Sequence, residues 1–198
     1  MIPFNNISEM YKRYEKDYDR IIKECLSNGD IFQGKNVNLL EEELCKQTER
    51  NYCITVSSCT DALFFALNSL ELPKYSKVAV TPFTYKATIN AIINNDLIPV
   101  YVDVDETSMM NLYYLEHTLY NHNISAILVV ELFGSQIINR VFEIARKFNI
   151  PIINDSAQSY GTPLFGKRGD IVCTSFDPSK SLFSFGGGVV CLTDNKKY

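Results

Sequence analysis

The sequence predicts an α/β protein, a three-layer αβα sandwich built around a mostly parallel sheet of about seven strands. From residue 52 onward, short apolar segments rich in Val and Ile alternate with amphipathic segments of helical period. Several of the apolar segments lack the polar–apolar alternation of a strand that has one solvent-exposed face, so both faces of the sheet should be covered by helices.

The predicted strands follow one another along the second part of the chain. They cover residues 52–56, 77–81, 98–103, 126–130, 150–154, 171–176 and 188–193. Helices are predicted between them, because the apolar residues recur three and four positions apart, at 60–70, 84–94, 111–120 and 138–148. Ligands of such sheets bind at the carboxyl ends of the strands, so the residues that follow each strand are the candidates for a functional site.

The first 50 residues differ from the rest, because they hold two helix patterns and no strand pattern. One helix is predicted from residue 7 to about residue 26, and a second from 37 to 48. The turn at 28–30, Asn-Gly-Asp, separates them, since Gly and Asn favour positive φ. We therefore predict an N-terminal helical segment, residues 1–50, packed on a large domain, residues 51–198.

Composition and charge argue against several classes of function. Lys and Arg number 19 and Asp and Glu 23, a net charge of −4, and no basic block offers a surface for nucleic acid. No apolar run reaches the ~18 residues of a membrane span, and the N-terminus has no signal-peptide pattern. The six cysteines form no CxxC pair and no zinc pattern. We expect no metal site, and a reducing cytoplasm is the predicted location.

Small hydroxyl residues and an aromatic residue follow the first two predicted strands. Ser58, Cys59 and Thr60 lead into a helix whose free N–H groups and dipole favour an anion. Taken alone, a plain helix cap is the simpler interpretation of this segment. Tyr85 can stack on a flat ring, although a core position is the ordinary role of an aromatic residue in a chain with 12 Tyr and 12 Phe.

A carboxylate and a lysine follow the fifth and sixth predicted strands. Asp155 is costly at this edge unless a cation, such as a protonated ring nitrogen, or hydrogen-bond donors pair with it; a helix cap is the alternative. Lys180 lies between an apolar strand and the glycine run 186–188, where partial desolvation favours an amine nucleophile; a solvated surface charge is the alternative. An anion cradle, a stacking ring, a carboxylate and a lysine together describe a pocket for pyridoxal 5′-phosphate (PLP).

Five segments of the chain match, in order, the motifs of one known enzyme family. Residues 58–63, SCTDAL, are similar to its S-[GC]-T-x-A-L segment, and residues 81–85, TPFTY, to its TPxFTF/W segment. Residues 99–105, PVYVDVD, are similar to its P-V-F-V-D-V-D strand. The most specific matches are residues 155–161, DSAQSYG, to D-A-A-Q-S-x-G, and residues 175–180, SFDPSK, to S-F-x-P-x-K. With these motifs the chain resembles the DegT/DnrJ/EryC1/StrS family of PLP-dependent sugar aminotransferases, of fold type I.

The resemblance implies a role for each matched residue. It implies Lys180 as the Schiff-base lysine and later general base, and Asp155 as the partner of the pyridine nitrogen. The other implied PLP contacts are Gln158 near the ring hydroxyl, Tyr85 on the ring, and, on the phosphate side, Ser58, Cys59, Thr60 and Ser175. The implied activity moves an amino group from glutamate or another amino acid to a keto group on a nucleotide-linked deoxysugar. A homodimer with shared active sites is implied as well.

Three departures from the family pattern bear on these expectations. The family's H-L-[YF]-G segment reads ELFG at residues 131–134, so Glu131 stands where a histidine is usual. The stretch 166–170 is short, and GGG at 186–188 is one residue shorter than the common G-x-GG. Chains of the family are much longer, so we expect this chain to hold the large domain without the small C-terminal domain.

Three alternatives to an aminotransferase stay open. Sugar 3-dehydratases of this fold carry His at the position of Lys180, so the lysine favours amino transfer. A catalytically idle domain that binds PLP or a partner is the second alternative, and a general α/β binding domain is the third. The joint presence of Asp155, Gln158, Ser175 and Lys180 favours the enzyme over both.

Overall fold

A computed structural model describes residues 6–136, 139–184 and 189–198. Its helices are α1 Ile7–Asn28, α2 Lys35–Thr48, α3 Cys59–Ser69, α4 Lys86–Asn94, α5 Leu112–Asn121 and α6 Asn139–Phe148. Its strands are β1 Tyr52–Val56, β2 Lys77–Val80, β3 Ile98–Tyr101, β4 Ile124–Val130, β5 Ile152–Asp155, β6 Ile171–Cys173 and β7 Val189–Thr193. A short 3₁₀ helix, Leu132–Gly134, follows β4 and was not predicted from the sequence.

The strands of the described residues form one seven-stranded sheet in the order β1-β7-β6-β5-β4-β2-β3. Strands β3, β2, β4, β5 and β6 run parallel to one another, while β7 runs antiparallel to both of its neighbours. Strand β1 therefore points the same way as β6, and all strands except β7 end at the same edge of the sheet. The predicted α/β class with a mostly parallel, seven-stranded sheet is confirmed.

Helices cover both faces of the sheet, which makes the three layers. On one face, α3 and α4 contribute Leu63 and Ile92 to a buried apolar cluster. On the other face, α5 and α6 contribute Leu115 and Ile144, and α2 contributes Leu44. Successive residues of β4 enter the two opposite clusters in turn, which explains why its sequence has no polar alternation.

The predicted boundaries differ from the structure mainly at the ends of elements. Strand β1 coincides with the prediction, but β6 ends at Cys173 and is shorter than the predicted 171–176, because β5 ends opposite that residue and offers no further backbone partner. Helix α4 begins at Lys86 rather than residue 84, since Tyr85 has an extended backbone with φ −70° and ψ 144°. The expected helix start at 138, the strand start at 188 and the glycine run 186–188 lie outside the described residues.

The two N-terminal helices differ in how they meet the rest of the protein. Helix α1 is capped by Gly29, whose φ of 68° lies in the left-handed region that favours glycine, and none of the helix's own residues is buried. Helix α2 buries Leu44 and Thr48. Within the described residues, no helix is long and apolar enough to cross a membrane. The same part of the chain has no group of three or more His, Cys, Asp or Glu that could hold a metal ion.

Candidate active site

A cavity of about 440 Å³ opens at the edge of the sheet where β1, β2, β4, β5 and β6 end. The loop that follows each of these strands contributes residues to its wall. All eight residues predicted from the sequence line it, namely Ser58, Cys59, Thr60, Tyr85, Asp155, Gln158, Ser175 and Lys180. The fold therefore brings residues from four distant segments into one concave site, at the place where parallel sheets bind their ligands.

Asp155 is the last residue of β5 and is only 5% exposed. Thr88 Oγ1 donates a 2.8 Å hydrogen bond to its Oδ2, and the Ala157 N–H lies 3.3 Å from Oδ1. Burial raises the pKa of this carboxyl above its ordinary value, even though the donors and the nearby Lys180 act in the opposite direction. A cationic group of a ligand, placed beside Asp155, would stabilise the ionised carboxylate.

Thr88 is a site residue that the sequence interpretation missed. It is buried in α4, and its hydroxyl lies 2.8 Å from the hydroxyl of Thr84 as well as from Asp155. Because Thr84 lines the cavity, the two hydroxyls link the cavity wall to the buried carboxylate. The available signal was the pair of threonines four residues apart after a strand, a spacing that puts side chains on one side of a helical turn.

Glu131 is a second buried acid, 1% exposed, and it follows β4 directly beside Asp155. Its N–H donates to the carbonyl oxygen of Asp155 at 3.0 Å. Its Oε2 accepts 2.6 Å hydrogen bonds from the hydroxyls of Ser156 and Ser159, which also contact each other. The sequence marked Glu131 as a departure from the family pattern, but nothing in it indicated that serines 25 and 28 residues away would bind the carboxylate.

Gln158 lies on the turn between these serines and is fixed by the loop after β4. Its side-chain oxygen accepts a 2.7 Å hydrogen bond from the N–H of Phe133. Phe133 has a φ of 57°, in the left-handed region that bulky residues rarely occupy. Within the described residues the amide nitrogen of Gln158 has no acceptor, so it is available to donate to a ligand in the cavity.

The segment Ser58, Cys59 and Thr60 forms the start of α3. Ser58 caps the helix, because its Oγ accepts a bond from the Asp61 N–H at 3.2 Å and donates to Asp61 Oδ2 at 2.7 Å. The simpler interpretation of Ser58 as a helix cap is thus confirmed, and its hydroxyl is engaged. The N–H groups of Cys59 and Thr60 have no acceptor in the described part of the chain and remain available to an anion.

Lys180 lies in the turn that follows β6, and its side chain lines the cavity. Its N–H donates to the carbonyl oxygen of Asp177 at 2.8 Å. The Ser179 hydroxyl and N–H bind Asp177 Oδ1 at 2.6 and 2.9 Å and lower the pKa of Asp177. The buried Ser175 accepts a 3.3 Å bond from the Asp177 N–H. These bonds fix the turn so that the Lys180 amine and the Ser175 hydroxyl belong to the same cavity.

Tyr85 and Cys59 complete the set of predicted residues. Tyr85 is 66% exposed and lines the cavity, so the alternative of a core aromatic is wrong for this residue. Cys59 Sγ lies 4.0 Å from Asp155 Oδ1, and burial raises the pKa of its thiol well above the ordinary value. Cys59 is therefore a neutral thiol near pH 7, a poor nucleophile that lies against the carboxylate.

A larger cavity, about 840 Å³, opens beside the amino end of β5. Arg50 forms part of its wall, but its guanidinium is already engaged, because it donates to the carbonyl oxygens of Gly166 and Gly169 and to Asp194. No residue predicted for a site lines this cavity. The smaller cavity is therefore the candidate active site.

Comparison with known proteins gives matches along nearly the whole chain. The model of the DegT/DnrJ/EryC1/StrS aminotransferase family matches residues 12–198. The UDP-2-acetamido-2-deoxy-3-oxo-D-glucuronate aminotransferase of Pseudomonas aeruginosa is 33% identical, over 98% of this chain and 56% of that protein. The crystal structure of a DegT DnrJ EryC1 StrS aminotransferase from Brucella abortus matches with a TM-score of 0.93 at 29% identity, over 100% of this chain and 56% of that one. The structure of ntda from Bacillus subtilis with bound cofactor PMP matches with a TM-score of 0.93 at 27% identity, over 99% and 46%.

These matches extend over the whole described sheet, and its fold class is that of aminotransferases. The chain belongs to the DegT/DnrJ/EryC1/StrS aminotransferase family. It spans about half the length of the curated relatives it matches. The family expected from the sequence motifs is confirmed.

Proposed function

We propose that this chain binds PLP in the 440 Å³ cavity and is the cofactor-binding part of a sugar-nucleotide aminotransferase. The observation that carries the proposal is the position of Asp155, a buried carboxyl of raised pKa in the wall of a cavity that also holds Lys180. The free N–H groups at the start of α3 lie in the same wall. Such a site suits a ligand with a ring cation, a phosphate and an aldehyde, and PLP carries all three groups.

The residues present fit each part of the cofactor. In the proposal, Asp155 pairs with the ring nitrogen, the Gln158 amide donates to the ring hydroxyl, and Tyr85 covers the ring. The phosphate is bound on the side of the α3 start by Ser58, Cys59, Thr60 and Ser175, with the backbone N–H groups as the principal donors. PLP, when bound, supplies an electron sink for the amino-group transfer.

Lys180 has two tasks in this proposal. Its Nζ would condense with the aldehyde carbon of the cofactor, with the aldehyde oxygen leaving as water, and so would hold the cofactor in the resting protein. Once free, Nζ would act as a general base that carries the proton from the amino-bearing carbon of the substrate to the former aldehyde carbon, as amino transfer requires. The apolar wall residues Leu63, Val130 and Leu132 limit the access of water to that proton.

The substrate class rests on similarity to the Pseudomonas aeruginosa relative, whose name specifies a UDP-linked 3-oxo sugar acid. We extend the acceptor class, a nucleotide-linked keto sugar, to this chain. Glutamate is the proposed amino donor, because a 27% identical relative from Bacillus subtilis is named 3-oxo-glucose-6-phosphate:glutamate aminotransferase.

We further propose that residues 1–50 form a helical segment beside a cofactor-binding domain of residues 51–198, and that the protein is a cytoplasmic homodimer. Exposed apolar residues of α1, namely Ile21, Ile22 and Leu26, support this assembly, because a second copy would cover them. Sedimentation of the PLP-loaded protein at micromolar concentration should give the mass of a dimer. A PLP-loaded, monodisperse monomer would contradict the proposed assembly.

Covalent labelling tests the cofactor and the lysine together. Wild type, Lys180→Ala and the surface control Lys167→Ala are incubated with PLP, reduced with borohydride, digested and analysed by mass spectrometry. We expect the pyridoxyl mass on the peptide with residue 180 in wild type and in Lys167→Ala, and on no peptide of Lys180→Ala. A folded wild type that carries no label, or a label spread over surface lysines, contradicts the proposal. Turnover with glutamate and keto-sugar nucleotides is the next assay.

A further inference from the structure

We propose that Glu131 is a positioning residue of this site, which holds the turn 155–159 so that Asp155 and Gln158 face the cofactor together. The inference rests on the proposed function, because it assigns Glu131 a task toward bound PLP. Nothing in the roles proposed above uses this carboxylate, although it is almost fully buried in the wall of the cavity.

The first part of the evidence is the clip that Glu131 forms on the turn. The hydroxyls of Ser156 and Ser159 both donate to one oxygen of its carboxylate at 2.6 Å. The turn between them is closed by a 3.2 Å bond from the Ser159 N–H to the Ser156 carbonyl oxygen. Gln158 lies between the two serines and Asp155 immediately precedes the first of them. Both ligand-facing side chains are therefore within two residues of the fixed Ser156.

The second part is a set of backbone bonds that start from the same loop. The Glu131 N–H binds the carbonyl oxygen of Asp155 at 3.0 Å, and the Phe133 N–H binds the side-chain oxygen of Gln158 at 2.7 Å. The loop that begins with Glu131 thus contacts both ligand-facing residues directly, as well as the serines around them. A shift of this loop would move the Asp155 carboxylate and the Gln158 amide at once.

The third part is burial, which makes the clip strong. Ser156 and Ser159 are fully buried and Glu131 is 1% exposed, so these side chains exchange hydrogen bonds with one another rather than with bulk water. Removal of the carboxylate would take away the acceptor that the two buried hydroxyls share, and they would keep only their mutual contact and a long 3.3 Å bond from Ser159 Oγ to the Ser156 carbonyl oxygen among the described bonds. The acceptor oxygen of Glu131 is occupied by the serines, so Glu131 acts through its neighbours.

The test compares two ligands in matched variants. One ligand is PLP, and the other is its 1-deaza analogue, in which a carbon replaces the ring nitrogen and Asp155 has nothing to pair with. The readout is the ratio of the two dissociation constants, from absorbance titration. In Glu131→Ala we expect the preference for PLP to fall about tenfold, as is usual when a supporting hydrogen-bond partner is lost. Glu131→Gln keeps an oxygen that accepts both hydroxyls and should stay within about threefold of wild type.

Thr48→Val is the matched control, because it removes a buried hydroxyl bond, to the Leu44 carbonyl oxygen at 2.6 Å, in α2 and far from the cavity. It should lower stability and leave the ratio unchanged. If Glu131→Ala does not fold, the double variant Ser156→Ala with Ser159→Ala removes the same bonds by loss of two oxygen atoms, and it should lower the ratio as well.

Two results would overturn the inference alone. In the first, the wild type carries the pyridoxyl label at Lys180 and prefers PLP over the 1-deaza analogue, but Glu131→Ala keeps that preference. If Glu131→Ala does not fold, the same result in the double variant counts instead. In the second, the variant weakens both ligands equally, which is the result of a merely structural role. A wild type without label at Lys180 removes the proposed function and this inference with it, so the two failures are distinguishable.

Discussion

Asp155 and Glu131 are neighbouring buried acids, and their surroundings differ in a way that suits different tasks. Glu131 is bound by two serine hydroxyls through one oxygen. Asp155 has a single threonine hydroxyl and a long bond from an N–H, and its pKa is raised by burial. A carboxyl that the protein itself satisfies incompletely is typical of a group that binds a ligand.

The raised pKa of Asp155 predicts that Asp155→Asn stabilises the cofactor-free protein at neutral pH. Between the ordinary value of 3.8 and the raised folded-state pKa, the folded protein binds more protons than the unfolded chain. Stability therefore falls as the pH rises through that window, and the penalty is complete above it. Asparagine carries no such penalty, and its side-chain oxygen can still accept the Thr88 bond. Urea denaturation of both proteins from pH 4 to pH 8 measures the difference.

The advantage of Asp155→Asn should appear as the pH rises and then remain constant, because all other groups titrate alike in both proteins. An advantage that grows toward acid pH would contradict the assignment. The same variant should lose affinity for PLP by about a hundredfold or more, since it leaves the ring cation without its buried partner. Stability and cofactor binding would then change in opposite directions.

Thr88→Val tests the hydroxyl that binds Asp155. The change keeps the shape of the side chain but removes the 2.8 Å bond to Oδ2, and a hydrogen bond to a charged group contributes about 1.5–3 kcal/mol. We expect the dissociation constant of PLP to rise about tenfold or more in absorbance titration. The control Thr48→Val removes a comparable bond in α2 and should bind PLP as wild type does. An equal effect of the two variants would mean that Thr88 only stabilises the fold.

The turn before β6 depends on a glycine with no room for a side chain. Gly166 has a φ of 72°, and a Cβ there would overlap the methyl group of the buried Thr48 and lie 3.1 Å from Leu192 Cδ1. Gly161 has a φ of 89° but open space around it. Gly161→Ala should cost about 1–2 kcal/mol in free energy of unfolding, from the positive φ alone. Gly166→Ala should cost about 1–3 kcal/mol more, because overpacking adds to the strain. Equal costs in urea denaturation would contradict the packing argument.

Elements with a strong local signal were predictable from the sequence. The Val- and Ile-rich strands were found because burial on both faces demands continuous apolar residues, and β1 was predicted to the residue. The end of β6 was not, because it depends on where β5 ends, and β5 is a neighbour only in three dimensions. The eight residues predicted for the site share one cavity, and they could be named from the sequence because their motifs are local. The Thr88 bond and the serine clip of Glu131 were missed, since they join segments 25 to 67 residues apart.

The two edges of the whole sheet serve different purposes. At the carboxyl edge, five strands end in loops that surround a cavity with buried acids and an amine. At the opposite edge, the nearly buried guanidinium of Arg50 donates hydrogen bonds to the carbonyl oxygens of Gly166 and Gly169. It also forms a 2.8 Å ion pair with Asp194. Those bonds tie Arg50, two residues before β1, to the turn before β6 and to the residue after β7. The amino edge is fixed by the protein's own contacts, whereas polar groups at the carboxyl edge face the cavity.

The position of β7 in the strand order has a consequence for how the protein is made. Strand β1 leaves the ribosome early, and β7, its only partner in the described sheet, follows roughly 130 residues later. Until then β1 has no neighbour, and both β1 and β6 present open edges to other nascent chains. The Lys180 turn follows β6 and precedes β7 in the chain, so it is synthesised while the place of β7 in the sheet is still open. The described sheet is therefore completed only after the lysine of the candidate active site has been synthesised.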